Sequence, residues 1–257
     1  MSSRVEISGL TGLPLIKPGD DLAGMIVEQA RGQGLGIKNG DIIVIGQKAV
    51  SKSEGRLVDI AKVRPSKKAK DLAQKVRKKA GFVEIVLRDS KKVARASRQA
   101  LIVTTKHGFT CLNGGVDKSN VEGEKMYALL PLNPDLSARK IRTRIQRLTK
   151  RKVGLLITDT HSRPFRLGQI EETIGIAGLN PLVDYRRKRD LFGYQLRFKN
   201  VAIADELAAA AELVMGQGTE ATPVAIIRGL GRVKLNERGQ SSQLVVAARQ
   251  DLFKGTL

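Results

Sequence analysis

Four apolar, β-branched residues in a row, Ile42-Ile43-Val44-Ile45, stand between Asp41 and Gly46, and Val153 to Thr158 is built in the same way. An unbroken apolar run of this length, bounded by polar residues or glycine, predicts a strand buried on both faces. Pro223 to Arg228 reads as another core strand, and Val5 to Ile16 as a strand closing in the turn Thr11-Gly12-Leu13-Pro14. Ala100 to Lys106 has strand propensity, and residues 107 to 117 combine a further strand with the Gly114-Gly115 turn. Helical patterns fall between these runs. Asp20-Asp21 is placed to cap a helix from Asp21 to Ala30. Pro65 to Lys79 and Ala80 to Lys91 place Leu72, Val76, Val83, Val86 and Leu87 on inward faces with lysines outside. Ser137 is read as the cap of a helix running to Thr149, and the alanine-rich helix from Ala202 to Met215 is stopped by Gly216 and Gly218. Strands and helices mix without regular alternation. The predicted class is α+β, with mixed sheets and helices in one unit spanning residues 1 to 257.

Two oxygen-bearing clusters sit at the edges of these runs. Asp117 and Asn120 follow the glycine pair on an open loop, and Asp159-Thr160 follows the run ending at Thr158. Carboxylates and hydroxyls so placed suit Mg²⁺ or Mn²⁺, although singly each aspartate is also an ordinary turn residue. Lys48 and Lys52 flank Ala49-Val50-Ser51 just beyond a strand, where ammonium groups suit phosphate. Arg163 and Arg166, on a proline-stiffened loop, suit a phosphate, a carboxylate or a structural ion pair. His161 and Glu171 are the candidates for a proton acceptor. No GxxxxGK[ST] loop and no GxGxxG lies between a strand and a helix, so a bound nucleotide is not held in a Walker-type cradle.

Composition narrows the chemistry further. A single cysteine, Cys111, and two histidines cannot build a thiolate or imidazole cage, which leaves oxygen ligands for any metal. With 46 Lys and Arg against 25 Asp and Glu, the net charge of +21 attracts phosphate-bearing molecules over a screening length of about 8 to 10 Å. Nucleic acid is one such partner, but stacking of bases calls for aromatics, and here they are 4% with no tryptophan. No apolar run reaches the roughly 20 residues that span a bilayer, and the opening Met1 to Glu6 lacks a signal-peptide stretch. The expectation is a soluble, cytoplasmic protein.

Seven segments, in order, carry a resemblance. They are Gly12 to Ile16, Gly19-Asp20-Asp21-Leu22, Ser51 to Arg56, Asn113 to Val121, Ile157 to Thr160, Arg163 to Gln169, and Ala204-Asp205-Glu206-Leu207-Ala208 through Met215-Gly216. Together they resemble the archaeal-type coenzyme F-420-0:L-glutamate ligase family, also called coenzyme F-420 gamma-glutamyl ligase. The resemblance implies a homodimer of intertwined two-domain subunits. It implies a reaction in which GTP drives addition of L-glutamate to the phospholactyl carboxylate of a deazaflavin, followed by further gamma-linked glutamate, with Mn²⁺ or Mg²⁺ and K⁺ as helpers. Carried over by position, GTP contacts fall on Leu13-Pro14-Leu15-Ile16, Gln47, Lys48, Lys52, Asn120 and Met215-Gly216-Gln217-Gly218-Thr219-Glu220-Ala221-Thr222. Metal ligands fall on Asp117, Asp159, Thr160 and Gln217. Gln217 departs from the family pattern, which often has glutamate there; an amide brings no charge, and Glu220 is the alternative ligand in the same loop. Two other readings stay open: a basic nucleic-acid-binding protein, and a gamma-glutamyl ligase for another carboxylate cofactor.

Overall fold

The computed structural model describes residues 4–231, 233–247 and 249–251, so Met1 to Ser3 of the opening segment lie outside the described residues. In chain order the elements are β1 (Glu6–Gly9), α1 (Leu22–Gly32), β2 (Ile42–Gly46), α2 (Gln47–Ser53), β3 (Leu57–Asp59), α3 (Lys67–Val76) and α4 (Ala80–Arg88). They continue with β4 (Ser90–Ala96), β5 (Leu101–Thr105), β6 (Thr110–Leu112), β7 (Met126–Ala128), α5 (Pro134–Thr149), β8 (Gly154–Ser162) and β9 (Gln169–Ala177). The last are β10 (Val183–Asp184), β11 (Asn200–Val201), α6 (Ile203–Met215) and β12 (Val224–Arg228). The fold is α+β, as the mixed pattern predicts.

The central sheet has the order β1-β12-β2-β8-β9, with β2 and β8 parallel and the other pairs antiparallel. Why the central strands are apolar without interruption is visible in the packing. Ile43 and Ile45 of β2, with Leu155 and Ile157 of β8, face a core shared with α1 and α5. Ile42, Val44 and Leu156 point the other way, into a core closed by Ala204, Leu207, Ala211 and Met215 of α6. Helices cover both faces, so the period of two along each strand separates two cores rather than core from water. A further core joins α3 and α4 to Leu101 and Val103 of β5, beside the small sheet β4-β5-β6.

Several boundaries differ from the sequence expectation. The expected strand from Val5 shrinks to β1, because only Glu6 to Gly9 find partners on β12. The helix expected from Ser137 begins three residues earlier: Asn133 accepts from the Leu136 amide at 3.0 Å and Pro134 fits the first turn. Ser137 is instead buried inside the helix, with its hydroxyl donating to Glu54 Oε1 at 2.5 Å. The Ala49-Val50-Ser51 turn is the body of α2, which grows directly from β2 at Gly46 and puts Lys48 and Lys52 on one face, four residues apart. The strand from Val153 does not stop at Thr158; β8 runs to Ser162, because β9 supplies an antiparallel partner. Asp159 and Thr160 therefore lie within a strand, not on a loop beyond it.

Where β8 passes Ile157 its pairing with β9 shifts register. Ile157 pairs with Gly175 but Thr158 pairs with Thr173, leaving Ile174 as an extra residue. Such a bulge re-aims the strand that follows it. Gly175 allows the start of α5 to lie against this point, since a Cβ there would come within 2.7 Å of the Pro134 backbone. Asp135 closes the contact by accepting from the Ile176 amide at 2.8 Å.

Candidate active site

A cavity of about 430 Å³ opens where β2 ends beside β8, Gly46 opposite Thr158. It lies outside the carboxyl end of β2, where the parallel pairing with β8 stops and the sheet has room for a ligand. Four stretches wall it. Leu13 to Ile16 come from the loop before α1; Gln47, Lys48 and Lys52 from α2; Thr158, Asp159 and Thr160 from β8, with Glu171 opposite on β9. The fourth is the loop Met215 to Thr222 after α6, with Asn120 at its side. Every position that the resemblance assigns to nucleotide lines this one cavity.

The loop after α6 is shaped by its own contacts. Gly216 adopts φ of 67°, and a side chain there would run into Glu220, whose carboxylate folds back to accept from the Gly218 amide at 2.7 Å. Glu220 thus tightens its own loop instead of reaching towards β8. Asn120 Nδ2 donates to the Gly218 carbonyl at 3.2 Å, fastening the loop to the segment that carries Asp117.

Lys48 is the link to Asp117. Its Nζ donates to Asp117 Oδ2 at 2.7 Å and to Ser119 Oγ at 2.6 Å. Burial pushes the Asp117 carboxyl upwards, but hydrogen bonds from Lys48 and Ser119 outweigh it and hold the group below its ordinary value. Asp117 therefore faces a lysine at the rim and does not itself line the cavity. Burial, reinforced by neighbouring Lys48, lowers the Lys52 ammonium.

His161, Arg163 and Arg166, the candidates that the sequence offers for catalysis beside Glu171, do not line the cavity. His161 is buried behind Asp159, with Nε2 against Asp159 Oδ2 at 3.1 Å and Nδ1 against Glu172 Oε2 at 2.9 Å. Burial acts to lower its imidazole, yet hydrogen bonding to Asp159, Cys111 and Glu172 wins and raises it well above the ordinary range. A ring held between two carboxylates positions Asp159 and has no nitrogen left for a substrate proton. Arg163 and Arg166 sit on the loop between β8 and β9, away from the cavity wall.

Glu171, in contrast, faces the cavity. It is 4% exposed, and its Oε1 accepts from the Thr160 hydroxyl at 2.6 Å and from Gln217 Nε2 at 2.9 Å. Burial foremost, with the nearby charges of Asp159 and Glu212, raises its carboxyl against the opposing pull of the Thr158 and Thr160 hydroxyls, of which only Thr160 is within hydrogen-bond geometry. Its Oε2 has no partner, and neither do Glu212 Oε2, Thr158 Oγ1 or Gln47 Nε2, all on the cavity wall. Buried polar atoms are seldom left in this state unless water, an ion or a ligand completes them. Glu212 and Thr158 are lining residues that sequence reasoning missed. Glu212 had a signal, since it lies one turn before Met215 on the alanine-rich helix.

Three of these orphaned atoms are oxygens, and with Asp159 on the same wall they are the kind of donor that suits a hard cation such as Mg²⁺ or Mn²⁺. Among the described residues, no group of three or more His, Cys, Asp or Glu is placed so that it could hold a metal ion by itself. Such an ion would take part of its shell from phosphate oxygens and water.

A family model described as F420-0:Gamma-glutamyl ligase matches residues 11–229. The chain belongs to this family. Among its curated relatives, Coenzyme F420:L-glutamate ligase of Methanothermobacter thermautotrophicus is 40% identical over 251 residues, covering 98% of this chain and 99% of the relative. The protein of the same name from Methanocaldococcus jannaschii is 41% identical, covering 98% and 97%. That from Archaeoglobus fulgidus is 42% identical, covering 99% and 98%. The family match spans all four stretches of the cavity wall, from Leu13 to Pro223. No helix among the described residues is long and apolar enough to cross a membrane.

Proposed function

We propose that this protein is a GTP-dependent ligase that joins L-glutamate to the phospholactyl carboxylate of the deazaflavin precursor of coenzyme F-420, then adds further gamma-linked glutamate. Near-full-length similarity to relatives named Coenzyme F420:L-glutamate ligase supports the reaction class. The observation that carries the nucleotide is the convergence of Leu13 to Ile16, Lys48, Lys52, Asn120 and the Met215 to Thr222 loop on one cavity beside buried carboxylates.

A carboxylate does not acylate an amine at neutral pH, because oxide is too poor a leaving group. In the proposed reaction a phospholactyl carboxylate oxygen bonds to the γ-phosphorus of GTP as the bond to GDP breaks. The glutamate nitrogen, having lost a proton, then attacks the acyl carbon, and inorganic phosphate leaves with the carbon–oxygen electron pair. Lys48 and Lys52 neutralise phosphate charge, and the loop from Gly216 holds the nucleotide by close backbone approach. Asp159 is the oxygen ligand best placed for Mg²⁺ or Mn²⁺, whereas Asp117 is engaged by Lys48 at the rim. A bound ion would supply charge stabilisation at the phosphates. Positioning and fixed charge carry most of the rate, as is general for phosphoryl transfer.

The test is mass spectrometry of products from deazaflavin phospholactate, GTP, Mn²⁺ and glutamate. The expected product is the glutamyl amide, with GDP release that requires both co-substrates. GDP release that ignores them, together with tight, salt-resistant RNA binding, would support the nucleic-acid reading instead.

The same reading includes a homodimer. Its support is a hairpin built on β10 and β11, whose tip is ordered by Asp190 accepting from the Phe192 and Tyr194 amides at 2.9 Å. That ordered tip leaves Leu191 98% and Phe192 95% exposed. Large apolar groups held in water by a defined turn mark a protein contact. In size-exclusion chromatography with light scattering the parent should run as a dimer, and the double change Leu191→Ser, Phe192→Ser should shift it towards monomer. A monomeric parent at tens of micromolar would refute this part.

A further inference from the structure

A second cavity, of about 500 Å³, lies at the opposite edge of the central sheet. Lys152 and Val153 lead there into β8, whose Gly154 stands opposite Ile42, the first residue of β2. The candidate active site opens beyond Gly46, the last residue of β2, so the length of that strand, about 13 Å, separates the two. Arg142 of α5 lines the second cavity with Lys150, Arg151 and Lys152 from the turn after that helix. One carboxylate joins them, that of Glu237.

The Arg142 guanidinium is fixed by the fold. Its side chain is 8% exposed, its Nε donates to the Val153 carbonyl at 2.6 Å, and it lies against Gly178, where a Cβ would come within 2.3 Å of Nε. The other two nitrogens both go to Glu237: Nη1 donates to Oε2 at 2.7 Å and Nη2 to Oε1 at 2.6 Å. This is the forked geometry in which arginine takes a carboxylate. Glu237 itself is 74% exposed and reaches the fork from the solvent side. The backbone before it is anchored separately, with the Asn236 amide donating to the Gly178 carbonyl at 2.9 Å. The Glu237 side chain can therefore turn outward while the chain stays in place.

One carboxylate does not balance these cations. Lys150 ends α5 in the left-handed region, with φ of 60°, and the turn brings three consecutive cations around the fork. Among the described residues no acid lies within ion-pair distance of Lys150, Arg151 or Lys152. Lys152 acts on Glu237 through its charge alone; the Arg142 hydrogen bonds foremost, then the charges of Arg142 and Lys152, hold the Glu237 carboxyl below its ordinary value against burial. The C-terminus of α5 adds roughly half a negative charge, which Lys150 alone exceeds. A structural ion pair needs only Arg142 and Glu237. The open cavity and the three further cations are what a larger anion with several charges would use.

We propose that this cavity binds a polycarboxylate of the glutamyl type and that Glu237 is its internal stand-in. One carboxylate of the ligand replaces Glu237 on Arg142, and the others meet Lys150, Arg151 and Lys152. Glu237 already shows that the fork accepts a glutamyl carboxylate. A gamma-linked glutamyl chain, the product of the proposed reaction, has this chemistry. The site lies apart from that reaction, and binding is measured without it.

Isothermal titration calorimetry in metal-free buffer of low ionic strength tests the site, with gamma-linked triglutamate and inorganic pyrophosphate as separate probes. The proteins are the parent, Glu237→Gln, the double change Lys150→Ala, Lys152→Ala, and a control, Lys67→Ala, Lys68→Ala, on the exposed face of α3. Glu237→Gln should bind triglutamate at least about threefold more tightly than the parent, because an internal competitor is gone. The Lys150→Ala, Lys152→Ala protein should bind it about tenfold more weakly, the scale of two partly screened charge contacts. The control should stay within about twofold, since charges beyond a screening length contribute little. Glu237→Gln that binds no tighter than the parent would overturn the stand-in role. Equal losses in the control and in the Lys150→Ala, Lys152→Ala protein would replace the site by the general positive field. Pyrophosphate bound more tightly than triglutamate, and lost with Lys150 and Lys152, would overturn the polycarboxylate in favour of phosphate. Absence of triglutamate binding in both the parent and Glu237→Gln would overturn the inference outright, and the proposed ligase reaction would stand untouched.

Discussion

Asp159→Asn is expected to lower the rate of the proposed GTP-driven glutamate addition by at least about tenfold, equivalent to roughly 1.4 kcal/mol or more in the barrier, while the protein stays folded. The side chain lies on the cavity wall, and its charge acts on Glu171, whose Oε2 is one of the orphaned oxygens there. Asparagine keeps the shape and the oxygen that faces His161 Nε2, but removes the charge. The fold survives because His161 keeps Glu172 on its other nitrogen at 2.9 Å. The measurement is initial rate at limiting Mn²⁺ beside a thermal melt. A rate within about twofold of the parent, in a protein that melts normally, would remove Asp159 from the site.

The largest stability effect is expected at Asp41, far from the chemistry. Asp41 is 0% exposed, and its two oxygens take Arg228 Nε and Nη2, each at 2.8 Å, together with the Lys38 amide at 2.7 Å. This pair ties the start of β2 to the end of β12, and Arg228 also donates to the Gly36 carbonyl at 2.8 Å. Asp41→Ala leaves a half-buried guanidinium without its counter-charge, a loss of about 3 kcal/mol. In a chain of this size that lowers the melting temperature by about 6 to 12 °C at fixed protein concentration. The double change Asp41→Ala, Arg228→Met should recover much of the loss, since an apolar replacement of the whole pair removes the uncompensated charge. A single variant that loses less than about 1 kcal/mol in denaturant titration would show the pair to be dispensable.

These two sites differ in how far they could be read beforehand. Asp159-Thr160 stands directly after a buried apolar run, so the chain order places oxygen ligands near the end of a core strand. What that order hides is β9. Residues 169 to 177 pair with β8 across a bulge at Ile174, and only this pairing sets Glu171 opposite Thr160 and Glu172 opposite Asp159. The role of His161 follows from the same pairing. Read as a lone histidine it was a candidate proton acceptor; between Asp159 and Glu172 it is a support for a carboxylate.

By itself, the chain determined what depends on near neighbours in sequence. The buried strands β2, β8 and β12 are legible as unbroken apolar runs, because a strand covered on both faces has no polar alternation to lose. The cap of α1 by Asp21 and the stop of α6 at Gly216 are local hydrogen-bonding and backbone requirements, and both stand. Sixteen positions carried over from the family resemblance meet at one cavity, because the order of motifs survives folding. Only the tertiary structure decided the rest. That Lys48 meets Asp117, 69 positions away, and which end of the Gln217 amide faces Glu171 depend on groups distant in sequence. Charge and hydrogen-bond direction act over a few ångströms of space, and chain order does not encode that distance.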